Sequence, residues 1–101
     1  MPFQLIQAMN YVYVLQSLRD SRWYTGLCGD LRARIREHEA GRVRSTRSRR
    51  PLRLIYYEAC LSRSDAARRE IYLKTGRGKK YLAQRLRDSI AVIGPDKLER
   101  H

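Results

Sequence analysis

Several things are scarce in this chain of 101 residues. Acidic residues number ten against 22 lysines and arginines, leaving a net charge of +12. No stretch approaches the roughly 20 apolar residues that a membrane-spanning helix needs. The start, Met1-Pro2-Phe3-Gln4-Leu5-Ile6, lacks the charged region and cleavage pattern of a secretory signal, so the expectation is a cytoplasmic protein with no membrane partner. Cys28 and Cys60 are the only cysteines and form no CxxC unit, and His38 and His101 stand at no metal-type spacing from them. Two reduced cysteines are therefore expected rather than a disulfide or a zinc site. The length allows one domain and one active site.

What is abundant is positive charge. A domain with a pI near 10.5 repels itself, and a polyanion is the natural partner, with nucleic acid the first choice.

The segment Tyr11-Val12-Tyr13-Val14-Leu15 is aromatic and β-branched on both alternating faces and reads as a central strand covered on both sides. Ser17 to Arg22 read as a turn into a short second strand, Trp23-Tyr24-Thr25, which Gly26 is expected to end. Asp30 as N-cap and Gly41 beyond the C-terminus bracket a helix. Arg42 to Arg53 carry six arginines with no apolar period and read as a loop. Leu52 to Tyr57 read as a third strand. Ser62-Arg63-Ser64-Asp65 opens a helix that Thr75-Gly76 closes, and Leu82, Leu86 and Ile90 mark a last helix from about Lys79 to Gly94-Pro95. The order β-β-α-β-α-α predicts the α+β class: a small antiparallel three-stranded sheet flanked by helices. Residues 10–93 form the predicted domain. Residues 1–9 are an N-terminal extension expected to be disordered, and 94–101 a tail.

Three sets of residues sit awkwardly as packing. Arg34 and His38 share a helix side with Leu31 and Ile35, where they either snorkel at the core edge or serve chemistry. Glu70 lies among Ala66, Ala67 and Leu73 on the face expected to meet the sheet, so it needs a partner: a salt bridge to Lys74 or a cation. Seven tyrosines stand against one phenylalanine, and Tyr13 and Tyr24 fall on strands expected to pair. Their hydroxyls either satisfy themselves at the core edge or meet one another.

These same residues carry a family pattern. Tyr11-Val12-Tyr13, ten residues, then Tyr24-Thr25-Gly26 resembles the paired tripeptides of the GIY-YIG nuclease superfamily. Arg34 and His38 follow at the family's spacing, and Glu70 lies in a second helix. The stretches Asp30 to His38, Ser45 to Pro51, and Ala66 to Gly76 look like its compact single-domain bacterial branch, YhbQ-like and of the UPF0213 type. The resemblance spans roughly Asn10 to Leu86. Tyr11 and Val12 stand for Gly-Ile and Thr25 for Ile.

The resemblance implies a metal-dependent endonuclease that hydrolyses phosphodiester bonds, most naturally in DNA, in repair or recombination, leaving 5′-phosphate and 3′-hydroxyl ends. Glu70 would be the single protein ligand of one Mg²⁺ or Mn²⁺. Tyr13 would be the general base and Tyr24 would orient the water or share the role. Arg34 would favour the phenolate and stabilise the phosphate, and His38 would bond a tyrosine or a phosphate. Tyr11 and Gly26 would support the site. Arg42, Arg44, Arg47, Arg49 and Arg50, with Ser45, Ser48, Lys79 and Lys80, are the candidate backbone contacts. No small-molecule cofactor is implied. A non-catalytic basic nucleic-acid-binding module of the same fold is the alternative.

Overall fold

The computed structural model describes residues 9–89. Strand β1 (Asn10–Ser17) is followed by β2 (Trp23–Cys28), helix α1 (Leu31–Glu39), β3 (Leu52–Cys60), α2 (Arg63–Lys74) and α3 (Gly76–Arg85). The sheet order is β2-β1-β3 with both pairs antiparallel, which is the α+β arrangement expected. The expected tail, the N-terminal extension up to residue 8, and the predicted course of the last helix through Ile90 to Gly94-Pro95 lie outside the described residues.

β1 is central because every side chain from Val12 to Ser17 is buried. Alternation sends Val12 and Val14 to one face, where they meet Ala66 and Leu73 of α2 and Leu82 of α3, with Leu86 closing the core. Tyr13 faces the other way, toward α1. The strand runs past Leu15 into two buried polar residues: Gln16 Nε2 donates to the Ser21 carbonyl at 3.4 Å while its Oε1 has no partner among the described residues, and Ser17 is held by backbone groups. Ser17 N–H bonds the Arg22 carbonyl at 2.9 Å, and its hydroxyl donates to the Arg49 carbonyl at 2.6 Å. Opposite β3 the register shifts between Val14 and Leu15, whose partners are Tyr56 and Leu54. Ile55 is thus left as a bulge residue, and Ile55 and Tyr56 both pack on the core.

β2 continues through Gly26 to Cys28, contrary to the expectation that the glycine would end it. Gly26 pairs with Tyr13 and leaves the space above the strand that the phenol occupies. The helix ends follow their caps. The Asp30 carboxylate accepts from Ala33 N–H, Gly41 has φ +76°, and the Ser62 and Thr75 hydroxyls accept from Asp65 and Gly78 N–H. The Thr75 cap starts α3 at Gly76, three residues before the expected Lys79. Gly78 is buried where α3 crosses α2: a Cβ there would stand 2.7 Å from Leu73 Cα. β3 and the two helices are also joined by Glu58, which accepts from Tyr56 Oη at 2.6 Å and Arg69 Nε at 2.8 Å. The Arg69 guanidinium lies over the rings of Tyr72 and Tyr81. Among the described residues no helix is long and apolar enough to cross a membrane.

Candidate active site

On the α1 face of the sheet four of the five expected residues converge. Tyr13 Oη lies 2.8 Å from His38 Nε2, and Arg34 Nε donates to the same oxygen at 3.3 Å. The Tyr24 ring packs beside both, its centroid 6.3 Å from that of Tyr13 and 5.3 Å from that of His38. Helix geometry explains the convergence, because Arg34 and His38 are four residues apart and so lie one above the other on α1. Tyr13 and Tyr24 reach the same place because Tyr13 pairs with Gly26 and its neighbour on that face of β2 is Tyr24.

His38 is 1% exposed and both ring nitrogens have partners. Nδ1 lies 2.7 Å from the hydroxyl of Thr46, a residue with no exposure at all. Arg34 can only donate to Tyr13 Oη, and the arrangement in which the phenol donates to His38 Nε2 and Nδ1–H donates to Thr46 gives each of these buried groups a partner. Burial, and then the Arg34 charge, hold the His38 pKa below the ordinary histidine value, which suits a neutral imidazole. Thr46 was missed in the sequence because a lone threonine in an arginine-serine run looks solvated. Its signal is local: Val43, the single aliphatic residue of that run, is also buried, and Thr46 N–H bonds the Val43 carbonyl.

The electrostatics of Tyr13 depart from expectation. Burial pushes its hydroxyl up to about 12, and the Arg34 hydrogen bond only partly offsets this. Tyr13 has no exposure to solvent, whereas Tyr24 is half-buried on β2, an edge strand among the described residues. Arg34 is tied to Glu37 at 2.8 Å with its side chain 35% exposed. That ion pair and the Tyr13 bond keep the guanidinium charged, and its remaining N–H groups are free to meet an anion.

Glu70, the fifth expected residue, has its ion pair elsewhere. It lies on α2, which packs against β1 and β2 from the opposite face, and its carboxylate is 3.2 Å from Lys74 Nζ. Glu70 is mostly buried and Lys74 mostly exposed, at 21% and 56% side-chain exposure, so a cation could displace the lysine without disturbing the core. Among the described residues no cluster of three His, Cys, Asp or Glu could hold a metal. Glu70 alone is a hard oxygen donor of the kind that a largely hydrated Mg²⁺ or Mn²⁺ takes. Cys28 and Cys60 are free.

The basic segment is tied down in part. A 3₁₀ turn, Arg47–Arg49, interrupts the expected loop. Arg50 donates to the carbonyls of Glu39 and Arg47, and its guanidinium packs on Gly41, so its charge caps the end of α1. Arg49 leans toward Asp20 at 3.9 Å, and shares with Arg22, Trp23 and Lys79 an open pocket of about 610 Å³. Arg42, Arg44, Ser45, Arg47, Ser48, Lys79 and Lys80 are exposed. Tyr11 lies two residues along the same face from Tyr13, against Tyr57.

Residues 9–87 match the family model described as the GIY-YIG catalytic domain. A UPF0213 protein of Staphylococcus haemolyticus is 42% identical over 69 residues, 67% of this chain and 83% of that one. The UPF0213 protein YazA of Bacillus subtilis is 27% identical over 99 residues, 92% of this chain and 100% of that one. The solution NMR structure of a UPF0213 protein from Bacillus halodurans superposes with a TM-score of 0.50 at 37% identity, covering 75% of this chain and 83% of that one. A domain-wide family match, relatives of the same kind and the shared fold lead to one conclusion: the chain belongs to the GIY-YIG catalytic domain family, among its UPF0213 members.

Proposed function

We propose that this protein is a metal-dependent endonuclease that hydrolyses phosphodiester bonds in DNA, with Tyr24 as the group that meets the attacking water. The observation that carries the reading is the fixed set Thr46–His38–Tyr13–Arg34 beneath an accessible Tyr24. No residue in that set is needed for the core formed by Val12, Val14, Ala66, Leu73 and Leu82 on the other face.

In this reading Tyr13 is a positioning residue rather than the base that its motif suggests, because a buried phenol held up near 12 neither touches water nor ionises readily. It fixes the imidazole and the guanidinium relative to each other. Tyr24 takes the proton of the attacking water as its hydroxyl sheds its own to solvent. Arg34 presents its unoccupied N–H groups to the non-bridging phosphate oxygens, where charge accumulates in the transition state. Glu70 would hold a Mg²⁺ or Mn²⁺ ion. When bound, that ion supplies charge neutralisation and lowers the pKa of water. β2 is the strand that both faces share: it carries Tyr24 on one side and is packed by α2, the helix of Glu70, on the other. Arg42, Arg44, Arg47, Lys79 and Lys80 contact the nucleic-acid backbone without reading sequence. Such a general backbone grip fits a structure-specific role in DNA repair or recombination.

The test is cleavage of labelled duplex, flap, junction, single-stranded and RNA substrates with Mg²⁺ or Mn²⁺, run in parallel for the natural protein, Glu70→Ala and Tyr24→Phe. Metal-dependent cutting that both variants lose supports the proposal. Salt-sensitive binding with no cutting in any metal would replace it with a non-catalytic basic module.

A further inference from the structure

Beside the reaction group, α1 and the sheet enclose a second feature that the chemistry above does not use. It is a groove of about 730 Å³ between Leu31 and Ile35 of α1 and Tyr11, Leu54 and Tyr57 of the sheet. Tyr57 is 53% exposed and Leu54 37%, high values for large residues on the inner side of a helix-covered sheet. The Tyr11 and Tyr57 rings stand 6.2 Å apart and tilted by 59°, so an open aromatic face is presented rather than a closed stack. Arg32 and Arg36, both exposed on α1, line the same groove. Its two acids are at its ends: Asp30, whose carboxylate is engaged at the α1 N-cap, and Glu39 at the last turn.

We propose that this groove is a nucleobase subsite, taking the base of an unpaired nucleotide that flanks the phosphate held by Arg34. The location follows from register. Tyr57 is the direct cross-strand partner of Tyr13, and paired residues lie about 5 Å apart. The groove therefore opens within one residue of the reaction group. The chemistry follows from the lining: an exposed tyrosine ring over aliphatic side chains, flanked by guanidinium groups, is a platform that any base can stack on. A base inside a duplex keeps its faces stacked on its neighbours and cannot enter, so the site selects single strands, flaps or extruded bases. A second copy of the chain is a poor occupant, because each brings a charge of +12. The inference rests on the cleavage reading only in treating the bound strand as substrate.

Binding is measured by fluorescence anisotropy with chelator present, so that no cutting enters, on a single-stranded oligonucleotide and the duplex of the same sequence. Tyr57→Ala is expected to weaken single-strand binding by at least about fivefold, the loss expected for one stacked base, and to change duplex binding by less than about twofold. Tyr57→Phe, which keeps the ring, should bind both as the natural protein does. Repeating the measurement on the ribo-oligonucleotide identifies the preferred sugar. Equal loss on single strand and duplex, or no loss on either, overturns the subsite. So does light scattering in which the natural protein is a dimer and Tyr57→Ala a monomer, since the groove would then be a self-association surface. Absence of cleavage with this binding pattern intact would count against the nuclease alone.

Discussion

Replacing Gly26 with alanine tests the core of the site in one methyl group. The added Cβ would meet the Tyr13 hydroxyl and stand 2.5 Å from its Cζ and 2.9 Å from its Cε1. Ordinary carbon contacts lie at about 3.5–4.0 Å, so the phenol must retreat by about 1 Å. A ring end is normally cheap to move, but this one has no exposure and is bonded to His38 at 2.8 Å and Arg34 at 3.3 Å. A shift of about 1 Å breaks at least one of those bonds. Overpacking a well-filled site costs about 1–3 kcal/mol, which in a domain of this size lowers Tm by roughly 5–20 °C. Misplacement on that scale next to the chemistry costs on the order of 100-fold in kcat/KM. Gly29→Ala is the internal control, since nothing lies within 4 Å of a Cβ at that position. The assays are calorimetry and cleavage of a labelled oligonucleotide. If Gly26→Ala melts and cuts like Gly29→Ala, the close approach of Tyr13 to the strand is refuted.

Further outcomes follow from the same geometry. Thr46→Val keeps the shape but strips the partner from His38 Nδ1, costing about 1–3 kcal/mol in denaturant unfolding, and Thr46→Ser should restore both stability and the His38 ¹⁵N shifts of the Nδ1–H tautomer. Burial and then the Arg34 charge hold the folded pKa of His38 below the ordinary histidine value, so the native state binds the proton more weakly than the unfolded chain. Stability should therefore be full above about pH 6.5 and decline as the pH falls toward the folded pKa, a slope that His38→Gln should lack in urea titrations. Gly78→Ala should destabilise by about 1–3 kcal/mol by forcing α3 off α2, while cleavage at a temperature where the protein remains folded changes little.

The sequence carried the architecture where side chains alternate or caps are unambiguous. It failed where tertiary contacts decide. β1 runs through Gln16 and Ser17 with turn and loop backbone groups accepting from Gln16 Nε2 and the Ser17 hydroxyl, which no local pattern announces. Gly26 resembled a terminator because its role, making room for a ring from the neighbouring strand, exists only once the strands pair. The Ile55 bulge has the same origin. In the site, the helical spacing of Arg34 and His38 was readable and their convergence on Tyr13 followed. The burial of Tyr13 was readable in the two-faced apolar pattern of β1, but its consequence for the chemistry was not, since the motif is alike for an exposed and a buried tyrosine. Glu70 was placed on a packed helix face beside Lys74, and both features are present, but no sequence pattern reveals that α2 covers the face opposite α1.

Helix α1 is nine residues long, yet one stripe of it carries Arg34 and His38 into the reaction group while Leu31, Arg32, Ile35 and Arg36 line the adjoining groove. Each residue inserted or deleted rotates everything downstream by about 100°. A single-codon insertion or deletion between Asp30 and Leu31 would thus turn both sets relative to the capped start of the helix at once. Relatives should accordingly vary in what they place on α1 and keep its phase, with length changes displaced to the turn at Ser17–Arg22.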